Sequence, residues 1–205
     1  PLRRAVDWLR TRWRDASLSP AERAHALIGS MSREEKFWQL FMTPGDLDTP
    51  GHDWSHGVYG LQLRLPPGTP PRGGAAKAHA MRIDSIQQYF VRSTRLGIPM
   101  IPFEEALHGL VADGATVFPQ AIALAATWDT ALVARVHDAA ARETRSRGIR
   151  HVLSPVLNLA TDVRWGRTEE TLGEDVLLSS AMGRAHVRAF ERVGVIATPK
   201  HFVAN

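Results

Sequence analysis

The sequence predicts an α/β fold: parallel strands with covering helices, of the kind that makes the first half of a (β/α)8 TIM-like barrel. Three observations carry this expectation. Short apolar runs alternate with helical stretches, with turn residues at each switch, the pattern of a mainly parallel sheet. No Gly-rich phosphate loop follows the first apolar run, which weighs against a doubly wound dinucleotide fold. Charged clusters recur just past successive runs, at Glu104-Glu105, Asp162–Arg164 and Lys200-His201, and barrel enzymes carry their polar groups at the C-terminal ends of strands.

Taken in chain order, Ser19-Pro20-Ala21-Glu22 is a capping box with proline at the first helical position, and it predicts a helix reaching about Ile28. Ser32-Arg33-Glu34-Glu35 is a second box, opening a helix with Phe37, Leu40 and Phe41 on its apolar side. Val58–Leu63 reads as a first short strand. Pro66 to Gly74 holds four prolines and three glycines and reads as a surface loop. Ala75–Arg95 reads as a helix with Ile83, Ile86, Phe90 and Val91 along one side, stopped before Gly97. Ile98–Phe103 is an apolar run suited to a buried parallel strand. Thr130–Arg147 is a helix turning Leu132, Val133, Val136 and Ala140 inward. Ile149–Leu157 is the next strand, Glu174–Val193 the next helix, and Val195–Thr198 the fourth strand. Four strands are too few to close an eight-stranded barrel. The pattern alone therefore leaves open half a barrel or a smaller sheet.

A chain of 205 residues with 44% hydrophobic content can bury a core as one domain. No apolar run approaches the length of a membrane span, so no membrane partner is expected. The first ten residues carry positive charge without the continuous apolar core or cleavage site of an export signal. Cysteine is absent, which excludes disulfides and thiolate metal sites and fits a cytoplasmic or a secreted location. The net charge of +4 raises nucleic-acid binding as a reading. Against it, Arg3, Arg4, Arg10, Arg12 and Arg14 interleave with Trp8, Leu9 and Trp13 as in an ordinary amphipathic helix, and no nucleic-acid module is present.

Glu104 and Glu105 follow the second run. Carboxylates there suit sugar hydroxyls or a proton shuttle, but acidic residues at a helix N-terminus would look the same. Arg164 offers a planar fork for vicinal hydroxyls, or an ion pair with Glu169, Glu170 or Asp175. Arg164 could face a ligand while Arg167 holds the loop. Lys200 and His201 close the fourth strand as a charged and a tunable donor, or as a surface salt-bridged pair. His52 and His56 are four apart in a Gly/Pro-rich stretch where helix is not expected, so no metal site is called for, and no cofactor. Ser154 and Ser179 lack a nucleophile-elbow setting.

Several of these segments, in this order, resemble the N-terminal domain of glycoside hydrolase family 3, the family of β-glucosidases and β-xylosidases. They are Met31–Lys36, Arg95–Pro99 with Glu104–Gly109, Phe118–Gln120 with Ala125–Asp129, Arg164–Asp175, and Lys200-His201-Phe202. The resemblance implies retaining, two-step hydrolysis of a terminal β-linked sugar, with an Asp nucleophile on a later strand and a Glu acid/base usually on a second domain. It implies that residues 1–205 are part of that domain and hold only the sugar-binding half, with Glu105, Arg164, Lys200 and His201 as substrate-binding residues and a small carbohydrate as ligand. A non-catalytic sugar-binding scaffold is the competing expectation. The family branch that cleaves N-acetylglucosamine resembles Lys-His-Phe-Pro-Gly-His-Gly at the last motif. This chain reads Lys200-His201-Phe202-Val203-Ala204-Asn205, which favours the glucosidase and xylosidase branch.

Overall fold

The computed structural model describes residues 11–65 and 74–202. The N-terminal arginine-rich stretch up to residue 10, most of the Pro66–Gly74 loop, and residues 203–205 lie outside the described residues. Five strands form one sheet: β1 (Met42–Pro44), β2 (Gly60–Gln62), β3 (Ile101–Glu104), β4 (His151–Val152) and β5 (Ile196–Ala197). Their spatial order is their chain order, and every neighbouring pair is parallel. Consecutive strands follow one another this way in a (β/α)8 barrel, whereas a doubly wound sheet reverses its order at a switch point.

The helices are α1 (Pro20–Ser30), α2 (Arg33–Trp38), α3 (Ala75–Ser93), α4 (Ala121–Ala125), α5 (Thr130–Ser146) and α6 (Val176–Arg192). Both capping boxes form: the Ser19 and Ser32 side chains accept from the Glu22 and Glu35 amides, and each glutamate reaches back to the serine amide. Asp129 and Asp175 cap α5 and α6 in the same way at single sites.

The first core layer packs α3 on the sheet, with Ile83, Ile86 and Phe90 against Leu61, Leu63, Met100 and Ile149. Fully burying a side chain such as Ile86 or Phe90 contributes about 1.5–3 kcal/mol. A second layer joins Val152 of β4 to Phe190 of α6. Ala140 and Ala141 of α5 are small enough to let the two helices close on each other.

Two expectations fail locally. The apolar side assigned to the second helix does not form. Helix α2 ends at Trp38, so Leu40 and Phe41 lie beyond it, and with Phe37 they are exposed. Glu35 is the residue of α2 that is buried, because its carboxylate serves both the Ser32 amide and Arg95. The second failure is β1, which the sequence does not announce. It is three residues long and ends on Pro44, so nothing in its composition separates it from a turn.

Candidate functional site

The long apolar run Ile149–Leu157 is strand only at His151–Val152. Pro155 has no amide hydrogen to donate, and the ladder lapses around it. Pairing resumes at Val156 opposite Lys200, where the Lys200 amide donates to the Pro155 carbonyl at 2.9 Å and the Leu157 amide to the Lys200 carbonyl at 2.7 Å. This late bridge fixes Lys200 and His201 beside the chain that continues from β4. The Ser154–Pro155 and Lys200–His201 peptides are cis.

Glu105 follows directly on β3. No helix starts there, so the helix-terminus explanation for the acidic pair does not apply; the next helix is α4. Lys200 Nζ donates to Glu105 Oε2 at 2.5 Å, and the Lys200 side chain is only 14% exposed. An ammonium has three donors and a carboxylate about four acceptor positions. The pair therefore keeps unused polar capacity on a rigid strand edge.

Glu104 turns elsewhere. Its Oε2 accepts from the Gln62 amide at 2.8 Å, and burial raises its pKa above the ordinary carboxylate value. It lines a cleft of about 450 Å³ together with Glu105 and the buried His79 and Arg147. The two adjacent carboxylates thus take different partners, Glu104 the Gln62 side-chain amide and Glu105 the Lys200 ammonium.

His201 sits between two partners. Its amide and its Nδ1 both lie 3.0 Å from Asn158 Oδ1. A backbone amide only donates, so the Asn158 atom it meets is the oxygen, and Nδ1 must carry a proton to bond the same atom. On the other edge Arg167 Nη1 lies 3.0 Å from Nε2. Guanidinium only donates, so Nε2 accepts. Burial, then the Arg167 and Lys200 charges, hold the ring below the ordinary histidine pKa. Arg167 is itself gripped by Glu170 through two bonds of 2.7 Å, and these hold the Glu170 carboxyl below its ordinary value.

Glu105, Lys200 and His201 are thus gathered at one corner, and Arg164 is not among them. Its side chain is 87% exposed and paired with Asp162, two residues away, on a separate cleft that also includes Asn158 and Trp165. The arginine that reaches the corner is Arg167, with Asn158 as its counterpart. The Arg-Trp-Gly-Arg motif offers two arginines, and nothing in its spacing tells which will meet His201. Asn158 carried no charge pattern to mark it. Among the described residues no three acidic or histidine side chains gather to hold a metal ion.

The model of the glycosyl hydrolase family 3 N terminal domain matches residues 74–205, more than half of the chain. The chain belongs to glycosyl hydrolase family 3. Among family 3 relatives, a β-xylosidase of Formosa agariphila is 43% identical over 136 residues, covering 60% of this chain and 19% of the relative. A probable β-glucosidase C of Aspergillus flavus is 31% identical over 211 residues, covering 93% of this chain and 33% of the relative. A solved β-glucosidase from Erythrobacter marinus superposes with a TM-score of 0.76 at 36% identity, covering 93% of this chain and 26% of that one. A Listeria innocua β-glucosidase variant solved with laminaribiose gives a TM-score of 0.71 at 25% identity, covering 90% of this chain and 27% of that one. The family 3 chain thus spans a fifth to a third of the length of these curated relatives. The family and the barrel-type fold expected from the sequence are met by these matches.

Proposed function

We propose that the protein hydrolyses terminal, non-reducing β-D-glucosyl residues with retention of configuration, and that residues 1–205 supply the sugar-holding part of its N-terminal domain. The observation that carries this reading is the Glu105–Lys200 pair, built across two strand ends in a family 3 chain. A carboxylate acceptor beside an ammonium donor matches a sugar hydroxyl, which both donates and accepts. Contacts that tighten as the ring distorts towards an oxocarbenium-like state lower the barrier rather than only the KM. Retention needs a nucleophilic carboxylate and an acid/base carboxyl about 5–5.5 Å apart. Glu105 is committed to Lys200 and Glu104 to the Gln62 amide, so neither is assigned these roles. The β-xylosidase among the relatives makes xyloside the alternative substrate.

The test pairs binding with turnover. By calorimetry the chain is expected to bind glucose, and by absorbance to release no aryl alcohol from aryl β-glucosides or β-xylosides, whereas a longer product of the same reading frame releases it. Turnover by the 205-residue chain above a buffer blank overturns the division of roles. Absence of any glucose binding overturns the sugar-holding corner.

A further inference from the structure

The cleft beside Glu104 is lined by two buried groups that the Glu105–Lys200 pair does not use. Arg147, just past α5, is 2% exposed, and His79, near the start of α3, is 4% exposed. Arg147 Nη2 donates to the Asp113 carbonyl at 2.6 Å. The neighbouring carboxylates are engaged elsewhere: Glu143 accepts from the amide and hydroxyl of Thr116, Glu105 from Lys200 and Glu104 from Gln62. Among the described residues the guanidinium therefore has no counter-ion in contact, and a buried charge is costly without one. His79 has the complementary deficit. Its Nε2 is buried without a partner, so its hydrogen bond to the Leu63 backbone is made through Nδ1. Burial, then the Arg147 charge, lower the pKa of the ring, so it is neutral and Nε2 is an acceptor with no donor.

We infer that this cleft is a binding site for the acidic end of a sugar acid, with Arg147 taking the carboxylate and His79 Nε2 accepting from a neighbouring hydroxyl. The inference rests on the sugar-holding reading of the corner, because Glu105 lines this cleft as well, and it names a substrate class: saccharides that carry a uronate. A bare anion satisfies the guanidinium but leaves Nε2 without a donor. A neutral sugar satisfies Nε2 but leaves the buried cation without a counter-charge. A carboxylate with a hydroxyl beside it meets both at once, and a guanidinium fork suits a carboxylate. The charges on the wall admit an anion. Glu105 is offset by Lys200, burial holds Glu104 towards its protonated form, and Arg64 stands with Arg147 against Asp113. The volume of about 450 Å³ is that of a small-molecule site.

The test is calorimetric titration of the chain at neutral pH with glucuronate, glucose and acetate. Glucuronate is expected to bind about tenfold more tightly than glucose, the gain from one charge-assisted contact. In Arg147→Met the ratio of glucuronate to glucose affinity falls towards one. Arg147→Lys keeps the charge without the fork and retains part of the ratio. His79→Leu removes the acceptor and lowers glucuronate affinity about threefold. Should Arg147→Met fail to fold, the wild-type comparison and Arg147→Lys carry the decision. Glucuronate that binds no more tightly than glucose overturns the inference, and so does a ratio that survives Arg147→Met undiminished. Acetate that binds as tightly as glucuronate overturns it too, since the cleft would then hold any small anion. If glucose binds and glucuronate gains nothing, this inference alone falls. If neither sugar binds, the sugar-holding reading falls with it.

Discussion

Lys200 Nζ meets Glu105 Oε2 at 2.5 Å across 95 positions of sequence, and the contact joins the edges of two strands that are not neighbours in the sheet. It exists because β4 lies between β3 and β5 and pairs in parallel with both, which brings their C-terminal ends to one side.

Removing one partner of that pair is expected to weaken sugar binding. Glu105→Gln keeps the shape and loses the charge, and calorimetric glucose affinity should drop about tenfold, equivalent to about 1.4 kcal/mol. Lys200→Met should lose at least as much. The nearly buried ammonium also explains a stability loss expected in Glu105→Ala, about 1–3 kcal/mol for a buried donor left without its partner. Urea unfolding measures it.

Arg164→Ala is expected to change little. A pair this exposed is screened by solvent and contributes little to stability. Glucose affinity within twofold of wild type, and an unaltered urea midpoint, are the anticipated results.

Acid should weaken the fold as the histidine range is crossed. Burial lowers the pKa of His79, His137, His151 and His186, and His186 lies against His137 with ring centroids 3.9 Å apart. Between the ordinary histidine value of 6.5 and the lower folded value, the unfolded chain binds protons that the folded one refuses. Stability therefore rises with pH in that window: it is fully present above 6.5 and lost as pH falls below it. Glu104, with its raised pKa, works in the opposite direction, from its ordinary value of 4.5 upwards, as a single group against several histidines. Calorimetry should show Tm falling from about pH 7.5 to about pH 5.5, and falling less in His186→Leu. That variant should start from a lower Tm, because Ser154 loses the His186 Nε2 partner it holds at 3.1 Å.

Gly109→Ala should destabilise by about 2 kcal/mol or more, through overpacking and a left-handed backbone together. Gly109 has φ +102°, and an added Cβ would run into the Thr116 carbonyl, which is backbone and cannot swing aside. By contrast, Gly166→Ala meets nothing nearby and should cost little. Thermal melts of the two variants make the comparison.

Much of this fold was legible in the sequence. The two capping boxes, α3, α5 and α6 stand within a few residues of their expected bounds, because local hydrogen bonds and 3.6-residue periodicity are written in neighbouring residues. The alternation of strand and helix was equally local. What the sequence could not carry was pairing at a distance. Strand β1 takes its identity from lying beside β2, not from Met42-Thr43-Pro44 itself. Leu40 and Phe41 looked like a helix face because periodicity cannot see where a helix of six residues ends.

At the site the division is the same. The sequence determined that this is a family 3 chain and that Glu105, Lys200 and His201 are among its polar strand-end residues. Only the tertiary structure decided that Glu105 meets Lys200 while Glu104 meets Gln62, and that Arg167 rather than Arg164 reaches His201. The reason is physical: side-chain direction at a strand end and the path of a loop depend on which backbone lies alongside, and that is set by parallel pairing between segments dozens of residues apart.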